Sequence, residues 1–427
     1  MRAILNGECA QIAMLRGNMF RLTKLERVMN KKQIAVEELK LGMYVAELDR
    51  PWLTTQFVFQ GFPIASARQI DELKQHCNTV FIDLERDTSD NSRAGYKLTD
   101  ASLLGPVVYA EVTPVEKELA VARQTYSAFE ASIETAFGEL RAEGELNLES
   151  LRGLVHGMTQ SIERNPDAIM LLSKIRQKSG QEFSRAVDTF IHMTAFGRFL
   201  QFSGERLLLM GLAGLLLNVG KTRLPDTLLQ KNWALTAGEH ARVKAHVMHS
   251  VELIRAAPGL PKALEDIVIQ HHERVDGSGY PLGLRGRQIT VDGAIAGLVD
   301  TYSALTSVRP YAEQMSPSAA LNMLYKLRGT LFDEMLVEKF IQCIGIYPVG
   351  STVELNTGEI GIVIARNLAR RLQPRVMVVL DGGGNPIRPQ VILDLDKEPR
   401  SAADEPYRIQ RTLPRDKLPI YLEQSRL

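Results

Sequence analysis

The clearest hydrophobic pattern in the chain predicts one long helix from about Pro114 to Glu143. Its apolar residues recur at alternating spacings of four and three, which is the a and d pattern of a heptad repeat. They are Val115, Leu119, Ala122, Tyr126, Phe129, Ile133, Ala136 and Leu140. Such a face packs either on other helices of the same chain or along a second copy, as a homodimer through residues 114–143. The pattern leaves both alternatives open.

Changes in hydrophobic period divide the chain into several predicted segments. A stretch of helical periodicity follows the long helix and is typical of a bundle. After Tyr347 the period becomes strand-like, and Thr352–Leu355 with Ile360–Ile364 predicts a β-hairpin. The predicted boundaries are 1–30 for an unassigned extension, 31–87 for a small N-terminal α/β module, 88–145 for a linker and the long helix, 146–346 for the helical domain, 347–400 for a small β-barrel-like unit and 401–427 for a polar tail. The predicted fold class is multidomain α+β, mainly an α-helical bundle.

Composition narrows the classes of protein to which the chain can belong. Of its 427 residues 45% are hydrophobic and 24% are charged, which excludes wholesale disorder and a collagen-like fibre. The net charge of +1 gives no broad electrostatic attraction to nucleic acid or anionic membrane. The longest apolar run, Leu207–Leu217, is shorter than the roughly 20 residues that cross a bilayer. Three widely spaced cysteines fit a reducing compartment. We therefore expect a cytoplasmic protein without a membrane span or a nucleic-acid partner.

The placement of histidine points to a metal site. Five of the eight histidines lie between His240 and His272, and the adjacent pair His271–His272 ends a predicted helix. Imidazoles are metal ligands, and the glycine-rich stretch that follows would let backbone approach a phosphate-bearing ligand. The isolated histidines His76, His156 and His192 are expected to be structural or solvated.

The segment His271–Pro281, with the sequence HHERVDGSGYP, resembles the signature of the HD-GYP family. Other segments match that family in order and spacing, namely Val219–Lys221, Leu224–Asp226, Asp300 and Ala304–Tyr311, and Leu39–Val45 resembles a module commonly fused to its members. The resemblance implies an HD-type helical bundle that hydrolyses the bacterial second messenger cyclic di-GMP with two or three metals, often iron or manganese. It also implies signalling partners such as diguanylate cyclases.

Three positions depart from the family pattern. Family members carry His-Asp where this chain has Leu217 and Asn218, and an earlier family histidine aligns with Arg185. The resemblance implies that these lost positions hold one metal together with Asp300. Leucine offers no lone pair, asparagine is at most a weak neutral ligand, and the fixed cation of arginine repels a dication. We therefore expect the first metal site to be empty, with Arg185 either paired to Asp300 or directed to solvent.

The second metal site retains its ligands. The resemblance assigns it to His246, His271 and His272 with Asp300, so one divalent ion, Fe, Mn or Zn, can bind there. A metal-free polar cluster is the alternative. The resemblance further assigns ligand binding to Gly279, Tyr280, Pro281, Lys221 and Arg309, with Lys221 also catalytic if the protein is active.

The residues in the predicted ligand-binding segments do not decide whether the protein is active. Tyr280 would either pack against a guanine or support its loop. A position that is usually basic in relatives is Ala312 here, followed by Glu313, which weakens binding of a dianionic ligand. Three functions remain: a sensor or interaction module of cyclic di-GMP signalling with hydrolysis impaired or lost, an active phosphodiesterase that releases pGpG or GMP from an altered metal centre, and a scaffold that binds no nucleotide.

Overall fold

The computed structural model describes residues 31–41, 43–49, 62–64, 67–83, 103–110, 113–144, 152–175, 182–229, 231, 235–307, 315–368 and 370–413. The described residues fall into two compact units, one within residues 11–96 and one within residues 97–427. Of the helices in these ranges, none combines the length and the apolar character that crossing a membrane requires.

The N-terminal unit is a small antiparallel sheet with one helix. Its elements are β1 (Lys31–Ala35), β2 (Tyr44–Leu48), β3 (Phe62–Pro63), α1 (Ala67–His76) and β4 (Thr79–Asp83). The strand order is β1-β4-β2-β3. Val45, Leu73 and Val80 are fully buried between the sheet and the helix. The predicted α/β character of this segment is confirmed.

The long helix α2 spans Val115–Glu143 and ends at Gly144, whose φ of 78° is in the left-handed region that glycine adopts without strain. Every residue of the predicted apolar face is buried. That face packs on helices α3 (Arg152–Arg164), α4 (Pro166–Ile175) and α5 (Glu182–Phe199) of the same unit. Of the two alternatives, the structure shows packing within one chain, which covers the face that a homodimer through residues 114–143 would use.

The remaining helices complete a bundle around α11. They are α6 (Gly204–Leu216), α7 (Asp226–Leu229), α8 (Ala237–Lys244), α9 (His246–Ala256), α10 (Ala263–Gln270), α11 (Val291–Thr306), α12 (Pro317–Leu327) and α13 (Glu334–Ile344). From Ile295 to Thr306 each residue of α11 is buried, because α5, α6, α10 and α12 pack around it. A polar residue on this stretch, such as Asp300, is therefore held in the interior of the bundle.

A buried polar group joins α4, α5 and α11 in this bundle. Asp188 accepts a hydrogen bond from Lys174 at 3.3 Å, and His192 lies one turn further along α5. The His192 ring packs edge-on against Tyr302, with 5.2 Å between ring centroids, and its Nδ1 is 3.4 Å from Ser303 Oγ. Burial, with the neighbouring Lys174 charge, lowers the pKa of His192 to about 4. The neutral imidazole is therefore the form that the fold favours.

This lowered pKa predicts a loss of stability in acid. An unfolded histidine titrates near pH 6.5, so the stabilisation is complete above that pH and is lost as the pH falls towards 4. Between about pH 7 and about pH 4 the expected contribution of His192 is on the order of 3 kcal/mol. In urea unfolding over this range, His192→Asn should lose less stability than wild type, and the exposed His156→Asn should follow wild type. Equal acid losses in all three proteins would contradict the assignment.

The C-terminal part of the larger unit is an antiparallel five-stranded sheet. Its strands are β5 (Thr352–Leu355), β6 (Ile360–Ala365), β7 (Arg375–Leu380), β8 (Pro386–Asp394) and β9 (Ile409–Leu413), in the order β8-β7-β6-β5-β9. The predicted hairpin is confirmed, since β5 pairs with β6. Val353, Val363 and Val376 form its buried core.

Strand β9 corrects the prediction of a polar tail over 401–427. Ile409–Leu413 pairs along β5, so the sheet continues past residue 400. The strand lies at a sheet edge and its side chains are exposed or half-buried. Ile409 packs against the buried core of the sheet, and main-chain hydrogen bonds to β5 hold the rest of the strand. Three of its five residues are polar, so hydrophobicity gives only a weak signal for it.

A buried ion pair fastens this sheet to the bundle. Asp167 in the first turn of α4 accepts hydrogen bonds from the backbone N–H and from Nε of Arg366, at 2.8 and 2.6 Å. The two side chains are 3% and 6% exposed. The same guanidinium donates to the carbonyl of Cys343 at the end of α13. A second pair joins Arg375 on β7 to Glu116 on α2.

Candidate metal centre

Three of the clustered histidines meet in the interior of the bundle. His246 is the first residue of α9, and His271 and His272 directly follow α10. Their exposed fractions are 0%, 0% and 2%, and one ligand nitrogen of each lies within 4.8 Å of the others. The other two, His240 and His249, lie outside this group, which we call the three-histidine site.

Hydrogen bonds orient two of these rings for metal binding. His246 Nδ1 is 2.7 Å from the carbonyl oxygen of Val243, and His271 Nδ1 is 2.6 Å from that of Val268. Because a carbonyl only accepts, each Nδ1 carries the proton and each Nε2 keeps its lone pair. A ring N–H bound to a carbonyl is the usual support of a metal-binding histidine. The donor chemistry of the three-histidine site thus fits a metal ion.

Glycines allow the surrounding segments to approach these rings. A Cβ on Gly220 would lie 2.2 Å from the carbonyl oxygen of His246, and one on Gly297 would lie 2.6 Å from that of His271. The short turn Val219–Arg223 and the helix α11 can therefore lie directly against the two histidine segments. The half-buried Lys221 belongs to that turn.

Asp300 accepts hydrogen bonds from two side chains at the positions where the sequence predicts lost metal ligands. Its Oδ1 accepts a hydrogen bond from Arg185 Nη2 at 2.8 Å and another from Asn218 Nδ2 at 2.8 Å. The side chains of Arg185 and Asp300 are 16% and 3% exposed. The predicted pairing of Arg185 with Asp300 is confirmed, and the alternative of a solvent-directed arginine is wrong. Leu217 is fully buried beside them and offers no polar side-chain atom.

Asp300 is not part of the group that the three histidines form. Among the described residues, the one group of His, Cys, Asp or Glu with metal-binding geometry consists of the three histidines alone. An ion bound there would meet three neutral nitrogen ligands and would keep open positions. Nitrogen-only ligation suits Zn or Fe, whereas Mg and Ca prefer oxygen. The amide nitrogen of Asn218 donates to Asp300, whereas its Oδ1 is buried and has no hydrogen-bond partner within the described residues.

The loop after His272 is held in place by hydrogen bonds of Glu273 and Arg274, to which the sequence analysis assigned no role. The buried carboxylate of Glu273 accepts hydrogen bonds from the N–H groups of Leu282 and Leu284, at 2.6 and 2.9 Å. Arg274 donates to the carbonyls of His271 and Glu273, at 3.1 and 2.7 Å. Burial lowers the pKa of Arg274, although the nearby acidic groups raise it in part. In the sequence, the only sign of this role is that Glu273 and Arg274 directly follow the two histidines.

The predicted ligand-binding residues are only partly brought together. Gly279 lies against the start of its own loop, where a Cβ would be 2.4 Å from the Cα of Glu273. Tyr280 is buried beside His272, and Pro281 is exposed. Arg309, Ala312 and Glu313 lie outside the described residues.

Three family matches cover most of the chain. Residues 31–151 match a domain of unknown function, residues 170–336 match the HD domain, and residues 352–403 match a KOW domain associated with the HD domain. The first match includes α2, which the sequence assigns to the connector between the units.

Curated relatives and solved structures resemble the same regions. The cyclic di-GMP phosphodiesterase PA4108 of Pseudomonas aeruginosa is 29% identical over 372 residues, which are 86% of this chain and 89% of that protein. The cyclic di-GMP phosphodiesterase response regulator RpfG of Xanthomonas campestris is 31% identical over 191 residues, which are 44% of this chain and 50% of that protein. The structure of Bd1817, an HD-GYP-type protein from Bdellovibrio bacteriovorus, aligns with a TM-score of 0.43 and 14% identity over 73% of this chain and 98% of that one. The chain thus spans most of the first relative and half of the second.

Proposed function

We propose a function from one premise, which is that the chain belongs to the HD-GYP family of HD-domain proteins. We infer that it acts in cyclic di-GMP signalling as a sensor or protein-interaction module whose hydrolytic activity is impaired or lost. One observation carries this proposal: Arg185 and Asn218, at two lost ligand positions, both donate to Asp300 Oδ1. The carboxylate that would bridge two metals is thus bound by the protein itself.

Two-metal hydrolysis of a phosphodiester needs both ions at once. They activate a water molecule and stabilise the attacking and the leaving oxygen. A dication at ~4 Å from the Arg185 guanidinium would be repelled by roughly 8 kcal/mol at an effective dielectric constant of ~20. At Asp300 Oδ1 the first metal would also compete with two hydrogen bonds. The first site therefore stays closed to metal in this chain.

The three-histidine site is the remaining place for an ion. His246, His271 and His272 would hold it, and when bound it would supply one Lewis acid for a phosphate oxygen. Lys221, and Arg309 beyond the described residues, would add positive charge for the second part of a dianionic ligand. Such a site binds a phosphodiester and lacks the second ion that hydrolysis requires.

Metal analysis of protein purified without an affinity tag tests this proposal. We expect about one Zn or Fe per chain, submillimolar binding of cyclic di-GMP and no turnover of it by the same preparation. His271→Ala should abolish the metal, because it removes one of three ligands. His249→Ala is the matched control on α9 and should keep the metal, since His249 lies outside the site.

Other results would favour the other functions. Two metals per chain with release of pGpG or GMP would show an active phosphodiesterase, which is what the names of the relatives state for those proteins. A protein that binds neither metal nor nucleotide would favour the third function, a scaffold.

A further inference from the structure

His272 is held differently from the other two histidines of the site. Its ring stacks on the ring of Tyr280, with 4.6 Å between centroids and 19° between planes. His246 and His271 are instead oriented through hydrogen bonds from Nδ1. A stack of this kind fixes the plane of an imidazole without occupying a ring nitrogen. The stack uses the faces of the two rings, so it does not compete with ligation through the edge of the imidazole.

The Tyr280 ring is itself kept in place by its loop. The Tyr280 N–H donates to the carbonyl oxygen of His272 at 3.2 Å. The Glu273 carboxylate binds the backbone on the far side of Tyr280, at Leu282 and Leu284. Because Gly279 has no Cβ, the loop lies directly against the backbone of residues 272–274, which follow α10. The tyrosine ring therefore forms a fixed surface beside His272.

A cation completes this arrangement. Lys244, in the last turn of α8, places its Nζ 4.7 Å from the centroid of the Tyr280 ring. An ammonium group over an aromatic face is attracted by the electrons of the ring. Lys244, Tyr280 and His272 thus form a contiguous column that links α8, the Gly-Tyr-Pro loop and the three-histidine site.

We propose that Tyr280 and Lys244 are positioning residues for His272 as a metal ligand. This inference rests on the proposed metal binding at the three-histidine site and assigns the tyrosine ring to that task. The ring is already in contact with an imidazole and with an ammonium group. Supporting the metal ligand, and not stacking on a guanine, is then the role of the tyrosine in this chain.

The matched pair at Tyr280 separates ring support from contacts of the hydroxyl group. Metal is removed from the full chain with a chelator, and Co2+ is titrated while its visible absorption spectrum is recorded. Tyr280→Phe keeps the ring and should bind Co2+ within about twofold of wild type, with the same spectrum. Tyr280→Leu should bind at least about tenfold more weakly and change the spectrum, because the His272 plane is no longer fixed. Wild-type affinity and spectrum in Tyr280→Leu would overturn the inference.

A second pair decides the matter if Tyr280→Leu does not fold. Lys244→Arg keeps a cation over the ring and should give the wild-type Co2+ spectrum, whereas Lys244→Gln should change that spectrum, because the Tyr280 ring loses its cation. Identical spectra in this pair would overturn the role of the column. A wild-type protein that binds no Co2+ gives a separate result, because it refutes the metal site of the proposed function itself.

Discussion

Restoring the three lost ligands is expected to raise the metal content from about one to about two per chain and to create hydrolysis of cyclic di-GMP. The variant combines Arg185→His, Leu217→His and Asn218→Asp. It removes the cation from Asp300 and supplies two imidazoles and a carboxylate, so a second ion can bind beside the first. We expect turnover at least about a hundredfold above that of wild type, since one missing electrostatic clamp typically costs that much. Metal analysis and a hydrolysis assay on one preparation measure both quantities.

Single replacements serve as controls for this variant. Arg185→His alone leaves Leu217 and Asn218 in place and should not reach two metals per chain. A triple variant that holds two metals but does not turn over the ligand would contradict the view that these three positions alone explain the proposed inactivity. Ala312, where the family resemblance implies a basic residue, would then be the next position to change.

Removing the buried partner of Arg366 is expected to destabilise the protein by about 3–5 kcal/mol. Asp167→Ala leaves the guanidinium of Arg366 in the interior without its carboxylate, at the contact between α4 and the C-terminal sheet. The cost comes from the uncompensated buried charge and not from the lost attraction alone. The free energy of unfolding, measured by urea denaturation, tests this expectation.

An exposed ion pair provides the control. Arg400 and Asp404 form a contact with side chains that are 60% and 84% exposed. Arg400→Ala should change the free energy of unfolding by less than about 1 kcal/mol. If Asp167→Ala is no more destabilising than Arg400→Ala, the buried pair does not anchor the sheet to the bundle.

Local periodicity predicted the parts of this fold that depend on one segment. The heptad face of α2 was read from spacing alone because a helix places such residues on one side, whatever it packs against. The hairpin of β5 and β6 followed from two apolar strands around an Asn-Thr-Gly turn. The pairing of Arg185 with Asp300 was one of two predicted alternatives, proposed because a buried carboxylate requires a partner.

Features that depend on distant segments could not be read in this way. The partner of the α2 face is set by three later helices, so spacing left the choice between one chain and two open. Strand β9 is mostly polar, and its place beside β5 depends on backbone pairing across residues that are remote in sequence. The contacts of Glu273 and of Lys244 depend likewise on how the loop folds back and how α8 packs, which no local pattern encodes.

The ion pair between Arg185 and Asp300 has a consequence for how the protein responds to its surroundings. A metal ion can be withdrawn by a chelator or change its oxidation state, whereas a guanidinium is covalently attached and stays charged at every physiological pH. The junction of α5 and α11 thus keeps its internal charge balance when divalent ions are scarce. The contact between these two helices through Arg185 and Asp300 therefore needs no bound metal.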